Sequence, residues 1–209
     1  DAYDQARVFS SIDQQARYAF GNQPGIAVWN MAQFATALIQ QMDAKVVAIE
    51  EATAIIHAMP DQIEANWLKR FGAKIGLSAP KPDDQTLIED LLALMQNDGA
   101  DFTNAFAALG TQTARDQFVD REAFDAWQAR WTTRLRTEVN PDKTMAQANP
   151  HIIPRNHRIE QMIEQAVAGD YSLFERLNTA LATPFSSTDP NLHKAPTDQE
   201  IVPATFCGT

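Results

Sequence analysis

Cysteine and histidine are scarce in this sequence of 209 residues, which contains one cysteine, Cys207, and four histidines. One cysteine cannot form an intrachain disulfide or supply a cysteine-rich zinc site. No two histidines stand four residues apart and the H-E-x-x-H pattern is missing, so we predict no metal site in this chain. The low cysteine content is typical of a reducing compartment, and we expect a cytoplasmic protein.

Basic side chains are also few, with 17 Lys and Arg against 27 Asp and Glu, which gives a net charge of -10. Because phosphate groups repel an acidic surface, nucleic acid and anionic membrane surfaces are not expected as partners. No stretch approaches the ~20 consecutive apolar residues that span a bilayer. Glycine-rich phosphate loops and a serine nucleophile elbow are missing as well.

Apolar residues recur at helical spacing through most of the chain, whereas no stretch keeps the alternation of a strand, so we predict an all-α fold. We divide the chain into a loop over residues 1–21, a helical domain over 22–182 and an extended, non-helical tail over 183–209. The tail contains four prolines, which disfavour helix. The first residue is Asp1 rather than Met, and we expect this sequence to be part of a longer protein.

Several residues predict where helices begin and end. Asp101 and Asp120 precede apolar-periodic segments and are predicted N-caps, since a carboxylate accepts from the free amides of the first turn. Gly76 and Gly99 follow such segments and are predicted to end helices. Pro60 is predicted to break the helix that follows Asp43, because proline lacks the amide hydrogen that continues a helix.

Three features have both a functional and a structural interpretation. The stretch Asn97–Asp101 resembles half a calcium loop but lacks its closing Glu, so a helix end followed by an N-cap is favoured. Trp127 and Trp131 are spaced as a core stripe rather than as a stacking platform for bases. Cys207 is either a redox-active thiol or an ordinary free thiol.

Several motifs are specific in their residues and spacing. They are Arg17-Tyr18-Ala19-Phe20-Gly21-Asn22-Gln23-Pro24 followed by Trp29-Asn30, then Asn149-Pro150 with Arg155-Asn156, and Gly169-Asp170-Tyr171. Together these motifs resemble those of the selenoprotein O family. The resemblance extends from Asp1 to Thr209. It implies a kinase-like fold and a protein adenylyltransferase, which moves AMP from ATP to a Ser, Thr or Tyr hydroxyl of another protein with Mg or Mn.

By the same resemblance, this chain is the helical C-lobe of that fold with its C-terminal extension. The catalytic, nucleotide-binding and metal-binding residues of the family precede the position of Asp1, so none is assigned here. The implied partners are the N-terminal half of the same protein and the protein substrates of AMP transfer, in the cytoplasm of a bacterium. The alternative is a non-enzymatic helical module for protein interaction or redox regulation.

The resemblance also directs attention to individual residues. We predict that five residues pin the loop behind the nucleotide site to the first helix: Arg17, Asn22, Gln23, Trp29 and Asn30. Cys207 stands where the family commonly has cysteine or selenocysteine near its C-terminus. Phe9 stands where some bacterial members have a second cysteine, so an internal disulfide is not expected, whereas an intermolecular disulfide through Cys207 stays open.

Overall fold

The computed structural model describes residues 1–186 and 189–202. Within these residues the fold is all-α, as predicted, and its nearest approach to a strand is one isolated bridge between Ala2 and Asp101. The helices are α1 Gln23–Ile39, α2 Lys45–Lys74, α3 Asp84–Asp98, α4 Phe102–Ala108, α5 Arg121–Leu135, α6 Pro141–Ala148, α7 Asn156–Val167, α8 Ser172–Leu181 and α9 Pro190–His193. Single 3-10 turns cover Phe20–Asn22 and Ala114–Gln117. None of the helices in the described residues has the length and apolarity needed to cross a membrane.

The predicted helix ends are confirmed where a local residue defines them. The Asp101 side chain accepts from the Asn104 amide at 2.8 Å, and the Asp120 side chain accepts from the Ala123 amide at 2.9 Å. Gly76 and Gly99 have φ angles of 89° and 62°, a backbone region that glycine tolerates best. The favoured interpretation of Asn97–Asp101 as a helix end followed by an N-cap is therefore confirmed.

Two predictions about proline are wrong. Helix α2 continues from Lys45 to Lys74 through Pro60, although a proline costs a helix interior about 3 kcal/mol. No glycine stands near Pro60, and apolar residues at helical spacing resume directly after it. The sequence around Pro60 therefore contains no turn signal that would end the helix there. In the tail, Asp189 caps the short helix α9 and Pro190 opens it, because proline fits the first helical position, which has no amide hydrogen bond to lose.

The described residues form two compact units, one made of Asp1–Tyr3 with the described residues of 69–202, the other of Asp4–Leu68. The core of the first unit lies mainly between α3 and α5. Trp127 and Trp131 are buried there with their rings stacked at 5.3 Å. Their indole N–H groups donate to the carbonyls of Leu87 at 2.8 Å and Ile75 at 2.7 Å, which confirms their predicted core role.

A smaller cluster in the same unit joins the tail to the last two long helices. Leu192 of α9 is buried with Ile152, Leu177 and Ala180. Further along the tail, Glu200 accepts a hydrogen bond at 3.3 Å from the side chain of Gln161 on α7. The described part of the tail therefore packs on α7 and α8 instead of extending into solvent.

The second unit contains α1 and the first part of α2, and it buries little apolar surface. Its buried apolar residues within the described chain are Ala19 and Ala48. Its large apolar side chains are mostly exposed, including Trp29, Phe34 and Leu38 of α1.

Candidate functional site

The loop that leads into α1 is organised by the side chain of Asp13. Its two carboxylate oxygens accept from the backbone amides of Arg17 and Tyr18, each at 2.8 Å. Ala16, inside this turn, has a φ of 54°, a left-handed conformation that L-residues other than glycine rarely adopt. The carboxylate satisfies two amides that the turn leaves without a helical or strand partner.

Asn22 closes the same turn. Its side-chain Nδ2 donates to the carbonyl of Ala16 at 2.9 Å, and its backbone amide donates to the carbonyl of Ala19 at the same distance. The Ala19 amide also donates to Ala16, at 3.1 Å. Asn22 directly precedes α1, so its side chain links the start of the helix to the loop.

Arg17 and Trp29 are brought together across this junction. The Arg17 guanidinium carbon lies 4.3 Å from the centroid of the Trp29 ring, a cation–π distance, and 5.8 Å from that of Tyr18. The side chains of Gln23 and Asn30 make no hydrogen bond with the described residues. Of the five residues predicted to act together, the structure joins Arg17 with Trp29 and ties Asn22 to the loop.

Gln23 lines an open cleft of ≈ 770 Å³ beside this loop. Its other lining residues include Phe9, Asp13, Arg17 and Tyr18. The cleft therefore offers one carboxylate, one guanidinium and aromatic edges. Among the described residues, no group of three or more His, Cys, Asp or Glu side chains is placed to hold a metal ion.

A second constellation surrounds the buried side chain of Arg155, immediately before α7. Its Nη1 donates to Asp101 Oδ2 at 2.7 Å and to Asp1 Oδ1 at 2.5 Å. Its Nη2 donates to Asp101 Oδ1 at 3.0 Å, to Asn104 Oδ1 at 3.1 Å and to the His193 carbonyl at 3.1 Å. We call this set the Arg155 clamp; it fastens residue 1, the start of α4 and the tail to one guanidinium.

The clamp controls the charge state of Asp101. Burial would raise the pKa of this carboxyl, but hydrogen bonds from Arg155 and the Asn104 amide, together with the Arg155 charge, outweigh burial. The pKa of Asp101 consequently lies below its ordinary value. Asp101 therefore remains a carboxylate that pairs with Arg155 while it caps α4.

Asn149, six residues before Arg155, joins the end of α2 to α4. Its Nδ2 donates to the carbonyls of Lys74 at 2.8 Å and Phe106 at 3.2 Å, and its Oδ1 accepts from Lys74 Nζ at 3.3 Å. The Lys74 ammonium also lies 5.4 Å from the Phe102 ring and 5.2 Å from the Phe106 ring. Burial lowers the pKa of Lys74.

Arg155 and Asn149 were not among the predicted site residues. Both belong to the block Asn149-Pro150 with Arg155-Asn156 that resembles the selenoprotein O pattern, which was the available signal. The structure explains why Asn149 and Arg155 occur in this block. Both side chains are buried, and their polar atoms are hydrogen-bonded to segments distant in sequence. Cys207, the candidate redox residue, lies outside the described residues, and its role stays a prediction.

Residues 1–182 match the family described as protein adenylyltransferase SelO. Over its full length the chain is 60% identical to protein nucleotidyltransferase YdiU of Roseobacter denitrificans and covers 44% of that protein. It is 54% identical to the protein of the same name from Ruegeria pomeroyi and 43% identical to that from Rhizobium etli, covering 45% of each.

The chain spans less than half the length of these relatives and corresponds to their C-terminal part. The family match covers most of the chain, including the loop before α1 and the block that forms the Arg155 clamp. The resemblance noted in the sequence is thus confirmed. The chain belongs to the protein adenylyltransferase SelO family.

Proposed function

We propose that this chain is the helical C-terminal portion of a protein adenylyltransferase that moves AMP from ATP to a Ser, Thr or Tyr hydroxyl of another protein. The observation that carries the proposal is the match of residues 1–182 to the adenylyltransferase family, combined with coverage of 44% of the relative from Roseobacter denitrificans. The reacting groups, the ATP site and the Mg or Mn site then belong to the N-terminal part of the full-length protein. We propose the cytoplasm of a bacterium as its location.

The buried polar side chains of the chain support a structural role. Arg155 places its guanidinium among Asp1, Asp101, Asn104 and a backbone carbonyl. These partners all belong to the chain itself, so the clamp serves packing rather than ligand binding. The described residues gather no donor set for a metal, and we assign no chemical step to a metal or nucleotide within this chain.

The Arg155 clamp contributes to catalysis by positioning the chain segment that is attached to Asp1. It holds Asp1, the residue from which the longer relatives continue toward their N-termini, against the start of α4. A buried, multiply bonded anchor restricts the position of the segment attached to it. We propose that the clamp positions the neighbouring N-terminal segment, while the reaction depends on positioning and charge stabilisation at the transferred phosphorus.

The reaction class is tested with the full-length protein, a protein acceptor, Mg²⁺ and ATP labelled on either the α- or the γ-phosphate. Adenylyl transfer predicts label on the acceptor from α-labelled ATP only, because AMP retains the α-phosphate. Label from γ-labelled ATP would instead identify a phosphoryl transferase. Absence of both labels would favour the alternative of a non-enzymatic interaction module.

The proposed redox role of Cys207 has its own test. Full-length protein is assayed for AMP transfer after oxidation and after reduction, with the Cys207→Ser variant treated in parallel. A regulatory thiol predicts a difference in the parent protein that the variant loses. If Cys207→Ser keeps the same difference between oxidised and reduced AMP transfer, Cys207 is not the regulatory thiol.

A further inference from the structure

Helix α1 combines an uncharged sequence with an uncovered surface. Between Arg17 and Asp43 the chain contains no Asp, Glu, Lys or Arg. Nevertheless, none of the 17 residues of α1 is buried by the part of the chain that the structure describes. A helix that lacks a charged face is normally enclosed within a protein core. Helix α1 therefore has the composition of a core helix, but its side chains are not buried.

The uncovered side of α1 is a continuous apolar stripe. Met31, Phe34 and Leu38 are spaced by three and four residues and therefore share one face. They are 42%, 54% and 46% exposed, and Ala27 extends the same face by one turn. The adjoining side is half-buried and consists of Val28, Ala32, Ala35 and Ile39. The exposed stripe is thus an apolar face distinct from the partly covered side of the helix.

We propose that the stripe formed by Ala27, Met31, Phe34 and Leu38 is the surface on which the N-terminal part of the full-length protein packs. This inference rests on the proposed function, in which the chain is one portion of a longer enzyme. The relatives contain more than half of their length outside the segment matched here, which supplies a covalently attached occupant. Covalent attachment holds that occupant at high effective concentration.

The chemistry of the stripe favours a permanent internal contact. It has no charged residue, whereas transient protein contacts are more polar and are rimmed by charged groups. A second copy of the chain is disfavoured because each carries a net charge of -10, and dimer formation would bring two acidic surfaces together. The N-terminal part is therefore expected to present an apolar face that packs on the stripe, so that the two surfaces form one hydrophobic core.

The test measures thiol accessibility in the full-length protein with Cys207→Ser as the background. Phe34→Cys and Leu38→Cys are introduced separately, so that one variant remains informative if the other fails to fold. Each is treated with a maleimide in native buffer and in denaturant. Thr132→Cys, at an exposed position of α5, shows that the reagent reaches native protein.

Burial of the stripe predicts that both thiols react roughly 100-fold more slowly in native buffer than in denaturant, independently of protein concentration. Reaction at the rate found in denaturant would overturn the proposal. Protection that disappears on dilution would also overturn it, since a second copy would then be the occupant. AMP transfer is measured on the same samples, so protected thiols without transfer would refute the proposed function while the docking surface stands.

Discussion

Arg155 and Asp101 form a bidentate ion pair in which Nη1 donates to Oδ2 at 2.7 Å and Nη2 donates to Oδ1 at 3.0 Å. The side chain of Arg155 is 1% exposed and that of Asp101 is 10% exposed. The pair joins the residue before α7 to the N-cap of α4, although 54 positions separate them. It is the centre of the Arg155 clamp.

Arg155→Met is expected to lower the free energy of unfolding by about 3–5 kcal/mol, because it leaves the carboxylate of Asp101 buried without its partner. Urea denaturation followed by tryptophan fluorescence measures this loss. Arg130→Met is the matched control, since its pair with Asp90 is exposed on both sides and should contribute no more than ~1 kcal/mol. Equal losses in the two variants would show that the clamp does not stabilise the fold.

His157 predicts a pH dependence of stability. It is buried and neither ring nitrogen has a hydrogen-bond partner among the described residues. Burial first, then the charges of Arg158 and Arg155, lower the pKa of His157 below 6.5, while Glu200 acts in the opposite direction. The folded state therefore binds this proton less readily than the unfolded state, and stability is complete above the unfolded pKa.

As the pH falls through the unfolded pKa of about 6.5 toward the lower folded value, the free energy of unfolding should decrease. His157→Gln should show a smaller decrease over the same interval, because it has no titrating imidazole. Urea denaturation at several pH values between about 7 and 5 measures the difference. Parallel pH profiles for the two proteins would contradict the assignment.

Asn22→Ala removes the hydrogen bond to the Ala16 carbonyl and is expected to destabilise the protein by about 1 kcal/mol. Asn30→Ala is the natural control, because the Asn30 side chain has no hydrogen bond with the described residues and its loss should cost less than ~0.5 kcal/mol. Thermal unfolding of the full-length protein compares them, together with AMP transfer. If Asn22→Ala leaves stability and activity unchanged, the proposed pinning role of Asn22 is wrong.

Two helix-ending glycines provide a steric test. A Cβ at Gly76 would meet Pro141 Cβ at 3.0 Å and Leu135 Cδ2 at 3.2 Å, whereas a Cβ at Gly99 would meet no atom within 4 Å. Both have positive φ, so Gly99→Ala should cost about 1–2 kcal/mol from backbone conformation alone. Gly76→Ala should cost more, since crowding is added. Urea denaturation yielding the opposite order would contradict the packing at Gly76.

Local residues made part of this fold predictable from sequence. Asp101, Asp120 and Gly99 act within one helical turn of themselves, so their capping roles follow from residue type and spacing. The contacts of Arg155 could not be derived in this way. Its carboxylate partners lie 154 and 54 positions away, and only the folded chain brings them together.

Helix α1 shows a different limit of sequence analysis. The spacing of its apolar residues predicts a helix but does not distinguish a face covered by this chain from one covered by another segment. In the second unit, the cation–π pair of Arg17 with Trp29 likewise required the structure, because the Arg17 turn includes a left-handed Ala16 that residue type does not predict. Pro60 illustrates the opposite case, in which a local signal was overridden by the surrounding helix.

The location of the reacting groups is tested by comparing the 209-residue chain with the full-length protein in one assay for AMP transfer from α-labelled ATP, with Mg²⁺ or Mn²⁺ and a protein acceptor. If the reacting groups belong to the N-terminal part, the full-length protein labels the acceptor and the 209-residue chain does not. Transfer by the 209-residue chain alone would show instead that the reacting groups lie among residues that we assign to packing.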